Sequence, residues 1–268
     1  MQIKKQPFGL APSQKGFLSP GNGGNEGGVK TIEGWGRGWK IMDKLKQIKQ
    51  SLRLLMNGVT SQSMRDKGVG YKINWGASFL HLKEMAAEYG KDYDLAIELW
   101  KEDIRECKIL ATLIMPADKI SADVVEVWME GVKTQEVAEM LAFNLLQYVD
   151  FAPVLAYGFI ASAKPLEQIC GFHILSRLFM KGQEPNEKGI NEFIDQAQAA
   201  LKDENLGVRH AAATCVMRFA DLGIVYERMA KSAFKGVLLP LSPLQWSLHP
   251  LRFPRFRGTE TPAGREPH

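Results

Sequence analysis

Three small groups of residues carry side chains suited to act on another molecule. In Tyr71-Lys-Ile-Asn-Trp-Gly76, the residues Lys72, Asn74 and Trp75 set a cation, an amide and an aromatic face side by side, just ahead of a helical pattern. That mixture fits a nucleic-acid backbone, because ammonium and amide donors take phosphate oxygens and a ring stacks on a base. Trp75 fits plain packing of a first repeat slightly better. Arg105 with Lys108, and Arg209 with His210, fall in the opening turns of two further helical patterns. Cations there meet phosphates if those turns line a binding wall. They brace the fold instead if they pair with the acidic turns before them, Glu102-Asp103 and Asp203-Glu204.

Other chemistries find less support. Cys170 and His173 are three apart and can share a helix face, but two ligands do not make a metal site. The odd cysteine count and wide spacing of Cys107, Cys170 and Cys215 give neither a disulfide framework nor a zinc pair, so all three read as small core residues. Gly24-Asn-Glu-Gly-Gly-Val-Lys-Thr31 looks superficially like a phosphate loop. Val29 stands where the last glycine belongs, however, and no strand leads into it. There is no Gly-x-Ser-x-Gly elbow and no cysteine–histidine pairing that nominates a nucleophile. Neither a metal nor a cofactor is expected.

The elements that must position these residues are helices. Lys202-Asp-Glu-Asn-Leu-Gly-Val-Arg-His-Ala-Ala-Ala-Thr-Cys-Val-Met-Arg218 joins an acidic turn, a Val-Arg pair and a run of small residues. Trp100-Lys-Glu-Asp-Ile-Arg-Glu-Cys-Lys-Ile-Leu-Ala-Thr-Leu113 repeats that opening. Apolar spacing predicts helices at about 43–57, 60–67, 78–89, 92–102, 104–115, 121–131, 134–149, 152–161, 165–181, 187–202, 205–222 and 224–234. Ser78, Ser121, Thr134 and Asn186 are predicted N-caps, and Pro116, Pro153, Pro165 and Pro185 lie at run boundaries or first turns. The second helix of each pair starts near 104, 134, 165 and 205, which suits a stack of antiparallel pairs. The expected fold is all-α, a curved α-solenoid over residues 42–236. The Gly-rich basic segment 1–41 and the Pro/Arg-rich tail 237–268 offer no periodic apolar face and are expected to be disordered.

Charge is uneven along this chain of 268 residues with net charge +4. Residues 42–83 hold eight basic and two acidic side chains, whereas 84–230 hold 14 and 24, so a basic edge adjoins an acidic body. No run reaches the roughly 18 apolar residues of a membrane span, and the opening lacks a secretory pattern, so the cytoplasm is the expected compartment and no membrane partner is expected.

With Trp75-Gly-Ala-Ser-Phe79, the stretch Gly90–Ile114 and Phe159-Ile-Ala-Ser162, the chain resembles the HEAT-like DNA alkylation repair glycosylase family over about 45–230. The resemblance implies a solenoid whose positive concave groove holds duplex DNA and which releases N3- and N7-alkylated purines without a base pocket. A carboxylate near the developing sugar cation and aromatic walls against the backbone would supply the catalysis. The family's catalytic helix opens with paired tryptophans and two aspartates three apart. Here Thr134-Gln-Glu-Val-Ala-Glu139 offers Glu136 and Glu139 at that spacing and no tryptophan. The family's groove arginine falls on or near Ile169, and its later tryptophan on Thr214. The expectation is a DNA-binding relative, at most a weak glycosylase for alkylated purines. A solenoid adaptor that binds a protein through the acidic 84–230 surface stays open as an alternative.

Overall fold

The computed structural model describes residues 32–236, with side chains from Gly38 onward. The expected disorder of 1–31 and 237–268 lies outside the described residues. The chain divides into two units, Met1–Lys40 and Ile41–His268. Of the first, only the opening of helix α1 is described; the second carries the rest.

The helices are α1 (Ile32–Leu54), α2 (Gly58–Asp66), α3 (Phe79–Tyr89), α4 (Tyr93–Lys101), α5 (Arg105–Ile114), α6 (Ala122–Glu130), α7 (Gln135–Asn144), α8 (Ala152–Ile160), α9 (Pro165–Met180), α10 (Glu187–Ala200), α11 (Leu206–Ala220) and α12 (Ile224–Ala233). Among the described residues there is no strand, and one parallel bridge joins Ile73 to Ile104. None of the described helices is long and apolar enough to cross a membrane.

Ser78, Ser121, Thr134 and Asn186 each accept a backbone N–H three residues on, and so open α3, α6, α7 and α10 as predicted. Each such cap stabilises its helix by about 1 kcal/mol. Asn57, Asp92 and Asn205 cap α2, α4 and α11 in the same way. Two boundaries differ from the sequence reading. α1 begins at Ile32, ahead of the expected start at Met42, because a helix nucleated by Leu45, Ile48 and Leu52 extends backward one hydrogen bond per residue. The predicted helix 134–149 stops at Asn144: Leu145 leaves helical geometry and a 3-10 turn, Leu146–Tyr148, follows.

Helices α3, α5, α7, α9 and α11 pack one against the next, while α4, α8 and α10 lie against α5, α9 and α11. This two-row stack is an all-α solenoid. α5 runs through its interior, and every residue of it except Leu113 is buried. At the far end, Phe179, Phe193 and Phe219 bring α9, α10 and α11 together with ring centres 5.0–5.6 Å apart. Each buried ring contributes about 1.5–3 kcal/mol by leaving water, which fixes the relative positions of the helices that carry the candidate site.

Candidate nucleic-acid interface

The loop before α3 is held by one carboxylate. Glu106, fully buried in the first turn of α5, accepts the backbone N–H groups of Trp75 (3.2 Å), Gly76 (2.9 Å) and Ala77 (3.3 Å), and Arg105 Nη1 lies 3.0 Å from its Oε1. A charge without solvent is tolerated only when paired and hydrogen-bonded in this manner. Gly76 has φ +73°, and a Cβ there would sit 2.6 Å from the backbone oxygen of Asn57. Only glycine lets the loop approach α2 so closely.

This clamp corrects part of the sequence reading. Asn74 is buried; its Oδ1 accepts the Gly76 N–H at 2.9 Å, and its carbonyl accepts the Ser61 hydroxyl at 2.6 Å. The amide shapes the loop and has no surface to offer a phosphate. Trp75 is half-buried and packs on the core, the packing reading of that residue. Lys72 stays exposed.

Arg105 is 2% exposed, and its guanidinium grips Glu136 of α7 through Nε (2.6 Å) and Nη2. Burial lowers its affinity for a proton, but Glu136 and Glu106 outweigh burial and raise its pKa. The brace reading therefore holds with different partners, since Glu102 pairs with Lys49 and Asp103 with Lys133. Lys108 is also buried. Its ammonium donates to the Trp100 carbonyl and lies 4.6 Å from the centre of the Trp100 ring, which stacks on Trp128 at 4.2 Å. Arg105 and Lys108 are closed to a phosphate as they stand, because packing and hydrogen bonds already occupy them. Arg209 is half-buried and donates to the carbonyls of Asp203 (2.6 Å) and Glu204 (3.0 Å), whereas His210 beside it is exposed.

The open chemistry lies one helix further on. Glu139 of α7 accepts from Gln135 Nε2 at 2.7 Å, and His173 Nε2 of α9 stands 3.5 Å from its Oε1. That distance is the outer limit of a hydrogen bond, and the buried His173 Nε2 has no other partner. His173, working against burial, together with Gln135 and the nearby His210, holds the Glu139 carboxyl below the usual carboxylate range. The row continues along both helices. The His173 ring meets Phe143 edge-on at 5.0 Å, and the Arg177 guanidinium lies 4.5 Å from the Phe143 ring centre. Glu136 and Glu139, predicted together, thus part company: one is locked to Arg105, the other faces this row. Cys170 is fully buried in the core, with its thiol pushed far up by burial. Phe143 and Arg177 escaped the sequence reading. Their spacing of four residues from Glu139 and His173 is the signal that identifies them.

A stack of helix pairs with its ionisable row on the second helices defines a HEAT-like α-solenoid. The sequence matches the model of the DNA alkylation repair enzyme family over residues 48–215, more than half of its length, and the chain belongs to that family. No curated protein matches it. Among solved structures it is similar to one described as "a new family of proteins related to the HEAT-like repeat DNA glycosylases with affinity for branched DNA structures". The TM-score is 0.63 and the identity 18%, with 72% of this chain and 82% of that one covered. At that identity the likeness is one of fold.

Proposed function

We propose that the protein binds DNA along the α7–α9–α11 face and that its base-excision activity toward N3- and N7-alkylated purines is weak or absent. The observation that carries this reading is the fate of the two carboxylates of α7. Glu136, its side chain 38% exposed, is tied up by Arg105, and Glu139, 26% exposed, is the carboxylate of α7 that stands beside the His173–Arg177 row. Family membership and the solved relative's affinity for branched DNA support DNA as the ligand. The exposed Lys72 and His210, with the half-buried Arg209, remain as contacts for it.

Excision needs more than a carboxylate. A glycosidic bond to a cationic purine breaks through an oxocarbenium-like state, which an anion stabilises only if the sugar is held against it. α7 has Phe143 as its single aromatic residue and no tryptophan; Ile169, at the place of the family's groove arginine, is buried, and Thr214 stands where a tryptophan would. Nothing in those positions fixes the nucleotide, so excision of N7-methylguanine is expected at least about 10²-fold below an intact family enzyme.

Single-turnover excision and fluorescence-anisotropy binding on the same methylated duplex test both halves. Binding that weakens with salt, without excision, supports the reading. Excision near family rates that Glu139→Gln abolishes overturns its second half. No binding at any salt overturns the first and leaves the acidic surface for a protein partner.

A further inference from the structure

Beyond the row from Glu139 to Arg177 lies a cleft of about 470 Å³ lined by Lys91, Leu113, Ala117, Phe143, Asn144 and Tyr148. A second cleft of about 360 Å³ shares Tyr148 with it and includes Gln147 and Lys181. Both clefts are broadly open to solvent. Two rings stand in this region, and each has a cation over it: Arg177 over Phe143, and Lys181 with its Nζ 4.2 Å from the Tyr148 ring centre. Tyr148 is 59% exposed, which is unusual for a ring beside a packed helix.

The cations keep unused donors. Arg177 lines neither cleft and its Nε is buried, so its free donors are the Nη groups, of which Nη1 reaches only the Met180 sulfur at 3.9 Å. Lys181 gives one N–H to the Gln147 carbonyl at 2.9 Å, out of three. Among the described residues neither has a carboxylate within ion-pair distance. By contrast, Lys101, Lys133, Lys164 and Arg218 all have one. Asp150, exposed at the rim of the second cleft, pairs with neither cation. Burial, and after it the charge of Arg177, lowers the Lys181 pKa, as expected for two neighbouring cations with no anion between them.

We propose that the two clefts, joined at Tyr148, bind one unpaired nucleotide of a DNA strand, its base against Phe143 and Tyr148 and its phosphate against Lys181 and the Nη groups of Arg177. The assignment rests on the DNA-binding reading and narrows it. A base inside a duplex has both faces covered by its neighbours, so aromatic rings in a cleft favour only a base out of the stack. Lys91 adds charge at the mouth, although its ammonium already donates to the carbonyls of Leu113 and Met115. Asn144, held by Thr112 at 2.9 Å, places an amide beside the rings.

The test compares a blunt duplex with the same duplex carrying a short single-stranded overhang that contains 2-aminopurine. Binding of the full chain is followed by anisotropy, and base stacking by 2-aminopurine fluorescence. The overhang substrate is expected to bind about tenfold tighter, with a change in 2-aminopurine emission. Tyr148→Ala and Lys181→Gln should each cut that preference to about twofold or less, leaving blunt-duplex affinity and the thermal midpoint in place, since both side chains are exposed. Equal affinity for the two substrates, or a preference that survives both substitutions, overturns the nucleotide site and leaves DNA binding standing. Failure to bind even the blunt duplex overturns the DNA reading, and the site with it.

Discussion

Around Glu106, one carboxylate without solvent exposure takes three backbone N–H groups and a guanidinium. Around Glu139, one carboxylate takes a single glutamine amide, and a histidine stands at 3.5 Å. The same residue types occur in both regions: Glu, Arg, Lys, an amide and aromatic rings. In the α2–α5 region the carboxylate is saturated by the loop amides and Arg105, which locks the loop and the first helix pair. In the α7–α9 region His173 Nε2 and Arg177 Nε are buried without satisfied partners. Under-bonded polar groups are costly, and each region keeps two, since His81 Nδ1 and Trp100 Nε1 are also buried without partners. What separates the two regions is the number of bonds each carboxylate accepts, and not side-chain identity.

Removing each carboxylate in turn gives the widest contrast. Glu106→Gln should destabilise the fold by about 3–5 kcal/mol, because Arg105 and three N–H donors lose a buried anion. Glu139→Gln should change stability by no more than about 1 kcal/mol. Urea unfolding of both variants checks this; similar losses would erase the distinction between the regions. The glycines sharpen it on a smaller scale. Gly76→Ala meets backbone atoms at 2.6 and 2.7 Å with φ at +73°, and at least about 2 kcal/mol is expected. Gly182→Ala shares the left-handed backbone, φ +75°, but has open space around it, so only about 1 kcal/mol is expected. A reversed order in thermal midpoints would show that the loop clamp is looser than its hydrogen bonds imply.

Cations provide the third contrast. Replacing Arg177 and Lys181 by Gln should reduce the salt dependence of binding to the overhang substrate by about two phosphate contacts, each worth a slope of about 0.7 in log–log terms for a single strand, and leave the blunt-duplex slope in place. Arg105→Gln should instead appear as lost stability, with the slope unchanged at temperatures where the variant stays folded. If Arg105 carries the slope and the α9 pair does not, the interface lies over α5 and not over α7–α9.

The helices were legible in the sequence because apolar spacing, four caps and the proline positions agreed with one another. Residues 202–218 and 100–113 displayed the repeat directly. The site was legible only in part. Glu139 followed from family resemblance, but Lys72, Asn74, Arg105 and Lys108 look alike as polar residues near helix starts, and only burial separates exposed Lys72 from the other three. Burial depends on contacts across about 30 residues, such as Arg105 to Glu136, which no local pattern encodes. Arg177 was hidden for the converse reason: it sits in the last turn of α9, and its meaning comes from Phe143 on another helix.

The smallest expected effect concerns pH. The Glu139 carboxyl is held below its ordinary range by His173, against burial, and further by Gln135 and His210. A depressed folded pKa means that the unfolded chain binds the proton more readily. The resulting stability is fully present above the unfolded carboxylate value, about 4.3, and is lost as pH falls through the folded one. The stability gap between the parent and Glu139→Gln should therefore shrink between about pH 6 and pH 3, from a starting value below about 1 kcal/mol because the group is partly solvated. Asp92 in the other region serves as a reference: burial raises its pKa, but Lys44 and the Leu95 N–H outweigh burial and lower it, so Asp92→Asn should narrow in the same direction. Denaturation of all three proteins across that window decides the matter. A Glu139 gap that stays constant with pH would mean that His173 does not hold the carboxylate in solution. The anion would then lie open on the α7–α9 face, where it would repel the phosphates that Arg177 and Lys181 are placed to attract.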